Sequence, residues 1–148
     1  MFKFRLDPLI AIRDHKLKEC QRALAQAYEA RKILEKDLQE IDRQLEEGIV
    51  AVRSVIQPGQ TINLQNLIGF RRQEMFLRAS QEELMEKIKA VDKGIDIRLA
   101  AVVEANKELK IIEKLKEKRY EKYLDAENKA EMKMMDEIAG NRRRSRYS

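Results

Sequence analysis

Glycine and proline are scarce in this chain, five and two among 148 residues. Sandwiches, barrels and doubly wound sheets turn often, and Gly and Pro make those turns, so these folds are excluded at the outset. Tryptophan is absent and aromatic residues reach only 5 %, too few for a thick core or an aromatic-lined ligand pocket. The single cysteine, Cys20, cannot form an internal disulfide, which points to a reducing compartment. The single histidine, His15, precedes Cys20 by five residues and falls on another helical face, so the two lack the geometry of a metal site. No Gly-rich phosphate loop is present. No stretch approaches the roughly 20 apolar residues of a membrane span. The opening, Met1-Phe2-Lys3-Phe4-Arg5-Leu6-Asp7, is too charged for a signal peptide, and Arg13-Asp14-His15-Lys16 interrupts the apolar run that follows. The expectation is a cytoplasmic, non-enzymatic protein with no catalytic residue, no cofactor and no metal.

Charge is abundant instead. Charged residues make up 39 % of the chain, against roughly 25 % in average soluble proteins. Ala, Glu, Lys, Leu and Arg together number 78 residues, about half the chain, the composition of long helices and coiled coils. The net charge of +5 raises nucleic acid or an anionic membrane as partners. Its location answers that question. The last eight residues hold Arg142, Arg143, Arg144 and Arg146 and no acid, and the remainder carries 27 basic and 26 acidic residues. A balanced rod with one basic end does not call for a specific nucleic acid.

The one strong breaker is Gln57-Pro58-Gly59-Gln60-Thr61. Before it, Asp7 suits a cap and Pro8 a first helical position. Alternating steps of three and four then pass through Ile10, Arg13, Leu17, Cys20, Leu24, Ala27, Arg31, Leu34, Leu38, Ile41, Leu45, Gly48, Val52 and Val55. After the breaker, with Thr61 or Asn63 as cap, the same steps pass through Leu67, Phe70, Glu74, Leu77, Gln81, Leu84, Ile88, Val91, Ile95, Arg98, Val102, Ala105, Leu109 and Ile112. Eleven of the fourteen positions are apolar in each series, a coiled-coil repeat. Leu99 and Leu115 suggest that the second seam drifts across the helix face.

The fold class expected is all-α: two long helices in an antiparallel coiled-coil hairpin, as one domain over 1–148. Helix 1 covers 7–56, the turn 57–62, helix 2 covers 63–139, and 140–148 form a disordered basic tail. Folding about the turn pairs residues whose numbers add to about 119. That register leaves Arg31 and Arg98 without acidic partners, reaching past the seam to solvent. It also leaves everything from about Leu115 onward as an overhang without an intramolecular partner. The overhang carries Tyr120, Tyr123, Leu124, Met132, Met134, Met135 and Ile138, which read as a partner-binding helix. The turn end carries Ile62, Leu64, Leu67, Ile68, Phe70, Met75 and Phe76 among Arg71, Arg72 and Arg78. This is either a small core closing the hairpin or a docking surface, since apolar anchors with Arg are common hot spots.

Phe2-Lys3-Phe4-Arg5-Leu6-Asp7-Pro8-Leu9 followed by Ile12-Arg13, then Leu115-Lys116-Glu117-Lys118-Arg119, and Met135-Asp136-Glu137-Ile138-Ala139 before a basic end, resemble the FliJ family. This is the small soluble coiled-coil component of the bacterial flagellar protein export apparatus. The resemblance covers essentially the whole chain and sets it in flagellum biogenesis, type III protein export and chemotaxis. It implies a stalk that associates with the hexameric export ATPase and promotes ring assembly or activity. It also implies contact with the cytoplasmic domain of the export gate protein FlhA, and recycling of export chaperones. Location would be cytoplasmic, peripheral at the cytoplasmic face of the inner membrane through partners. On the resemblance, the ATPase contact falls on Phe2, Phe4, Arg5, Leu9, Arg13, Lys114, Lys118, Arg119, Tyr123, Met135 and Glu137. The gate contact falls on Leu64, Leu67, Phe70, Arg71 and Met75. Two rival readings stand beside it: a generic structural or tethering coiled coil that self-associates, and a related type III secretion stalk.

Overall fold

The computed structural model describes residues 1–59 and 61–147, Tyr147 by its backbone alone; Gln60 of the expected turn and Ser148 of the expected tail lie outside the described residues. Two helices, α1 over Asp7–Val55 and α2 over Leu64–Tyr147, form the structure, and the described residues contain no strand. They pack as the expected antiparallel hairpin. The chain divides into a terminal unit, Met1–Glu19 with Val103–Ser148, and a loop unit, Cys20–Val102.

The helix ends follow from local chemistry. The Leu6 carbonyl accepts the amides of Leu9 at 2.9 Å and Ile10 at 3.1 Å, so α1 starts directly behind it. Asp7, the expected cap, lies inside the first turn, and its carboxylate reaches Lys116 Nζ at 2.8 Å instead. Pro8 has no amide hydrogen, and the first turn needs none. At the other end the Ile56 amide donates to the Val52 carbonyl at 3.0 Å, after which Pro58 cannot continue the helix. Gly59 takes φ 88°, a left-handed conformation that L side chains resist. Asn63 caps α2 as the sequence suggests: its Oδ1 accepts the Gln65 amide at 3.0 Å.

The seam lies where the periodicity put it. All fourteen expected positions on α1 are buried or half-buried, and thirteen on α2; Arg98 is the exception. The suggested drift through Leu99 and Leu115 is not followed, since both are exposed, at 45 % and 36 %. Among the described residues, Phe4, Ala105, Leu109 and Ile112 are buried in the terminal unit, and Ala27, Leu77 and Ile95 in the loop unit.

The register differs from the one expected. In the loop unit Arg31 Nε donates to Asp92 Oδ1 at 2.6 Å, and Gln81 Nε2 donates to Asp42 Oδ1 at 2.7 Å. In the terminal unit Asp7 pairs with Lys116, and Arg119 lies over the Phe4 ring. The residue numbers of each of these pairs add to 123, not 119. A slip of four residues is about one helical turn, which still leaves seam facing seam. Apolar periodicity therefore cannot choose between the two registers; opposite charges can.

Two expectations change with it. Arg31 does not reach to solvent: it bonds Asp92 across the hairpin and Glu35 at 2.8 Å on its own helix. The overhang begins later than Leu115, because Lys116, Arg119, Tyr120 and Tyr123 all meet the N-terminal segment. The tail expected to be disordered from 140 is also corrected over its described residues. The helix continues through Gly140 to Tyr147. One helical glycine costs about 1 kcal/mol relative to Ala. Arginines are good helix formers, and Arg144 and Arg146 in the last turn face the negative end of the helix dipole.

Candidate functional site

Each unit presents one surface with unsatisfied chemistry. In the terminal unit the first six residues run back along α2 ahead of α1. Phe2 packs edge-on against Tyr120, with ring centroids 5.2 Å apart, and lies 5.4 Å from Tyr123, a geometry favoured by aromatic quadrupoles. Phe4 is only 5 % exposed, with the Arg119 guanidinium 5.8 Å above its ring, within cation–π range. Arg13 Nη1 and Lys16 Nζ both donate to Glu108 Oε2, at 2.6 and 3.3 Å. The Tyr123 hydroxyl donates to Glu127 Oε1 at 2.8 Å. That bond to a carboxylate holds the phenol above its ordinary pKa.

The eleven residues assigned to ATPase contact therefore divide by role. Phe2, Phe4, Arg13, Arg119 and Tyr123 are engaged within the chain, and Leu9 is half-buried. Arg5, Lys114 and Lys118 are exposed and basic. Met135 and Glu137 are exposed but lie at least twelve residues beyond Tyr123, about 18 Å along the helix. From 124 to 146 every residue is exposed.

In the loop unit the apolar residues near the turn do not close into a local core. Ile56, Ile62, Leu64, Ile68, Met75 and Phe76 are between 46 % and 71 % exposed. Beside them a groove of about 470 Å³ is lined by Leu45, Gly48, Val52, Phe70, Glu74 and Leu77 among others. It exists because Gly48 occupies a seam position without a side chain, and a Cβ built there meets nothing within 4 Å. Among the residues assigned to gate contact, Phe70 lines this groove and Leu67 is half-buried, while Leu64, Arg71 and Met75 are exposed. Arg71 and Arg78 both bond Glu74, at 3.1 and 3.0 Å, and hold its carboxyl below the ordinary range. No acidic residue occurs between 48 and 73, where Arg53, Arg71 and Arg72 stand, so this end is apolar and positively charged.

His15 pairs with Glu19 on the next helical turn at 3.2 Å, and Cys20 is half-buried in the seam. Among the described residues no three His, Cys, Asp or Glu side chains gather as a metal set. What the surfaces offer is contact: aromatic and aliphatic anchors among arginines and lysines. Of the residues that hold the N-terminal segment, Glu108 belongs to no site expected from the sequence, and Tyr120, expected to meet a partner, meets Phe2 instead. The available signal was charge complementarity between the helices, which favours the register that brings them together.

Among the described residues no helix is long and apolar enough to cross a membrane. Comparison with curated proteins and with solved structures returned no match. The model of the family described as flagellar FliJ protein matches residues 2–147. That span takes in both helices and both surfaces, and the chain belongs to the FliJ family of flagellar proteins.

Proposed function

We propose that this protein is a non-enzymatic adaptor of flagellar type III export, with the terminal unit engaging the export ATPase hexamer and the loop end engaging the cytoplasmic domain of the gate protein FlhA. Family membership gives the flagellar export setting. The observation that carries the finer reading is the long exposed stretch of α2. Residues 124–146 are helical, exposed along their whole length and uncovered by α1. A helix left open beside an ordered aromatic clasp suits insertion against a ring of subunits. Arg5, Lys114 and Lys118 supply charge next to it. At the other end, exposed Leu64 and Met75 with Arg71 suit a second docking event. The protein then acts by biasing subunit interfaces of the ring and by handing over chaperones and substrates. It works in the cytoplasm and reaches the inner membrane only through partners.

The test measures ATP hydrolysis and oligomerisation of the cognate ATPase with and without this protein, beside a direct binding assay for each partner. Stimulated hydrolysis or ring assembly is expected. Absence of binding together with unchanged rate and oligomeric state would defeat the ring half of the reading. Unaltered gate binding after Leu64→Asp with Met75→Asp would defeat the gate half.

A further inference from the structure

The apolar face of the α2 extension does not continue the seam. At 3.6 residues per turn, the side that faces α1 at Ile112, Arg119 and Tyr123 runs on through Ala126, Ala130, Lys133 and Glu137. Of the bulky apolar residues, Leu124, Met132 and Met135 lie on the far side, Ile138 about a quarter-turn round from the α1 side and Met134 nearer to it; they are 39 %, 68 %, 70 %, 50 % and 64 % exposed. This second stripe has its own three-four spacing through Leu124, Asn128, Glu131, Met135, Ile138 and Arg142. Charge is distributed unevenly along it, with Glu131 before the methionines and Arg142 after them, and Asp125 and Arg146 flank it at the two ends. Among the described residues these four charges make no ion pair within the chain.

We infer that this stretch of α2 pairs with the same stretch of a second copy, the two helices antiparallel about an axis between Met135 and Ile138. In an antiparallel coiled coil the two kinds of seam position alternate across the interface. Met135 then packs on Ile138 of the second copy, twice by symmetry, and Met132 on Ala139. Glu131 meets Arg142 in the next layer outward, and Asp125 flanks Arg146. Glu131 and Arg142, the charged positions of the stripe, thus face each other. A parallel pair would set Glu131 against Glu131 and Arg142 against Arg142, so the charge pattern selects the antiparallel form. Each chain keeps its own hairpin, since the second stripe lies away from the face that meets α1. The inference goes beyond the adaptor reading and does not depend on it. The two meet at Met135, which self-pairing covers, so a chain paired in this way withholds that residue from other partners.

Sedimentation equilibrium of the full chain over a wide dilution series tests the inference. A monomer–dimer equilibrium is expected. Glu131→Arg alone and Arg142→Glu alone each place like charges in one layer, and each is expected to weaken association at least tenfold. The double variant Glu131→Arg with Arg142→Glu restores opposite charges and is expected to recover dimerisation. Far-UV circular dichroism of each variant separates loss of pairing from loss of helix. A wild-type chain that stays monomeric throughout overturns the inference and leaves the stripe to a different partner. A dimer indifferent to the single changes, or not recovered by the double change, overturns the antiparallel pairing.

Discussion

Five polar residues stand in seam positions, and they behave in different ways. Arg13, Arg31 and Gln81 bond across the hairpin, Glu74 bonds only within its own helix, and Arg98 is exposed. Glu74 is the one whose protonation has a readable consequence. The hydrogen bond from Arg78 comes first among the causes that depress its pKa, with Arg71 adding to it. A carboxylate with a depressed folded pKa stabilises the fold fully above its unfolded pKa, and that contribution disappears as pH falls through the folded value. Glu74→Gln removes the charge at every pH. Thermal melts of the two proteins should therefore differ at neutral pH, with the wild type the more stable, and converge in acid below the carboxylate range. A gap that persisted in acid would show that Glu74 supports the fold through something other than its ion pairs.

Both helices were legible as elements because two independent signals agreed. The three-four apolar repeat marked the seam, and Pro58 with Gly59 marked its interruption. The seam residues fell where they were expected because a helix buries one stripe whatever its partner does. Register was not legible from the same signal, since a slip of one turn keeps the stripes facing. The end of α2 was misread for a related reason: Gly140 and a run of arginines look like a tail, yet none of them prevents a helix that is already long from continuing. The overhang inherited the first error. Lys116 and Tyr120 were placed in an overhang that begins only after Tyr123.

The register can be tested through Arg31 and Asp92. Arg31→Glu sets a carboxylate beside both Asp92 and Glu35 in place of the 2.6 Å and 2.8 Å pairs. These side chains are 40–46 % exposed, so the loss is about 1 kcal/mol and shrinks in high salt. Adding Asp92→Arg should recover most of it, because the charges then match again across the helices. Denaturant melts of the two single variants and the double variant measure this coupling. Additive effects with no recovery would place the two residues out of contact and return the register to question.

The whole molecule rests on a thin core. Among the described residues four are buried in the terminal unit and three in the loop unit, and these form a single seam in each. A globular domain can absorb one misplaced charge by local repacking; a two-helix seam has water on both sides and nothing to rearrange. Leu109, 6 % exposed in the terminal unit, and Leu38, half-buried in the loop unit, sample the two regions. Leu109→Lys and Leu38→Glu each remove an apolar side chain whose full burial contributes roughly 1.5–3 kcal/mol and bring a charge to the interface in its place. Helices within proteins draw most of their stability from such a packed face rather than from propensity, so helix content itself should fall. Far-UV circular dichroism at 25 °C should show reduced helicity and a lower, broader melt for each variant, the larger change at Leu109 because it is the more buried. An unchanged melting curve for either would mean that the stripe containing it does not hold that unit together.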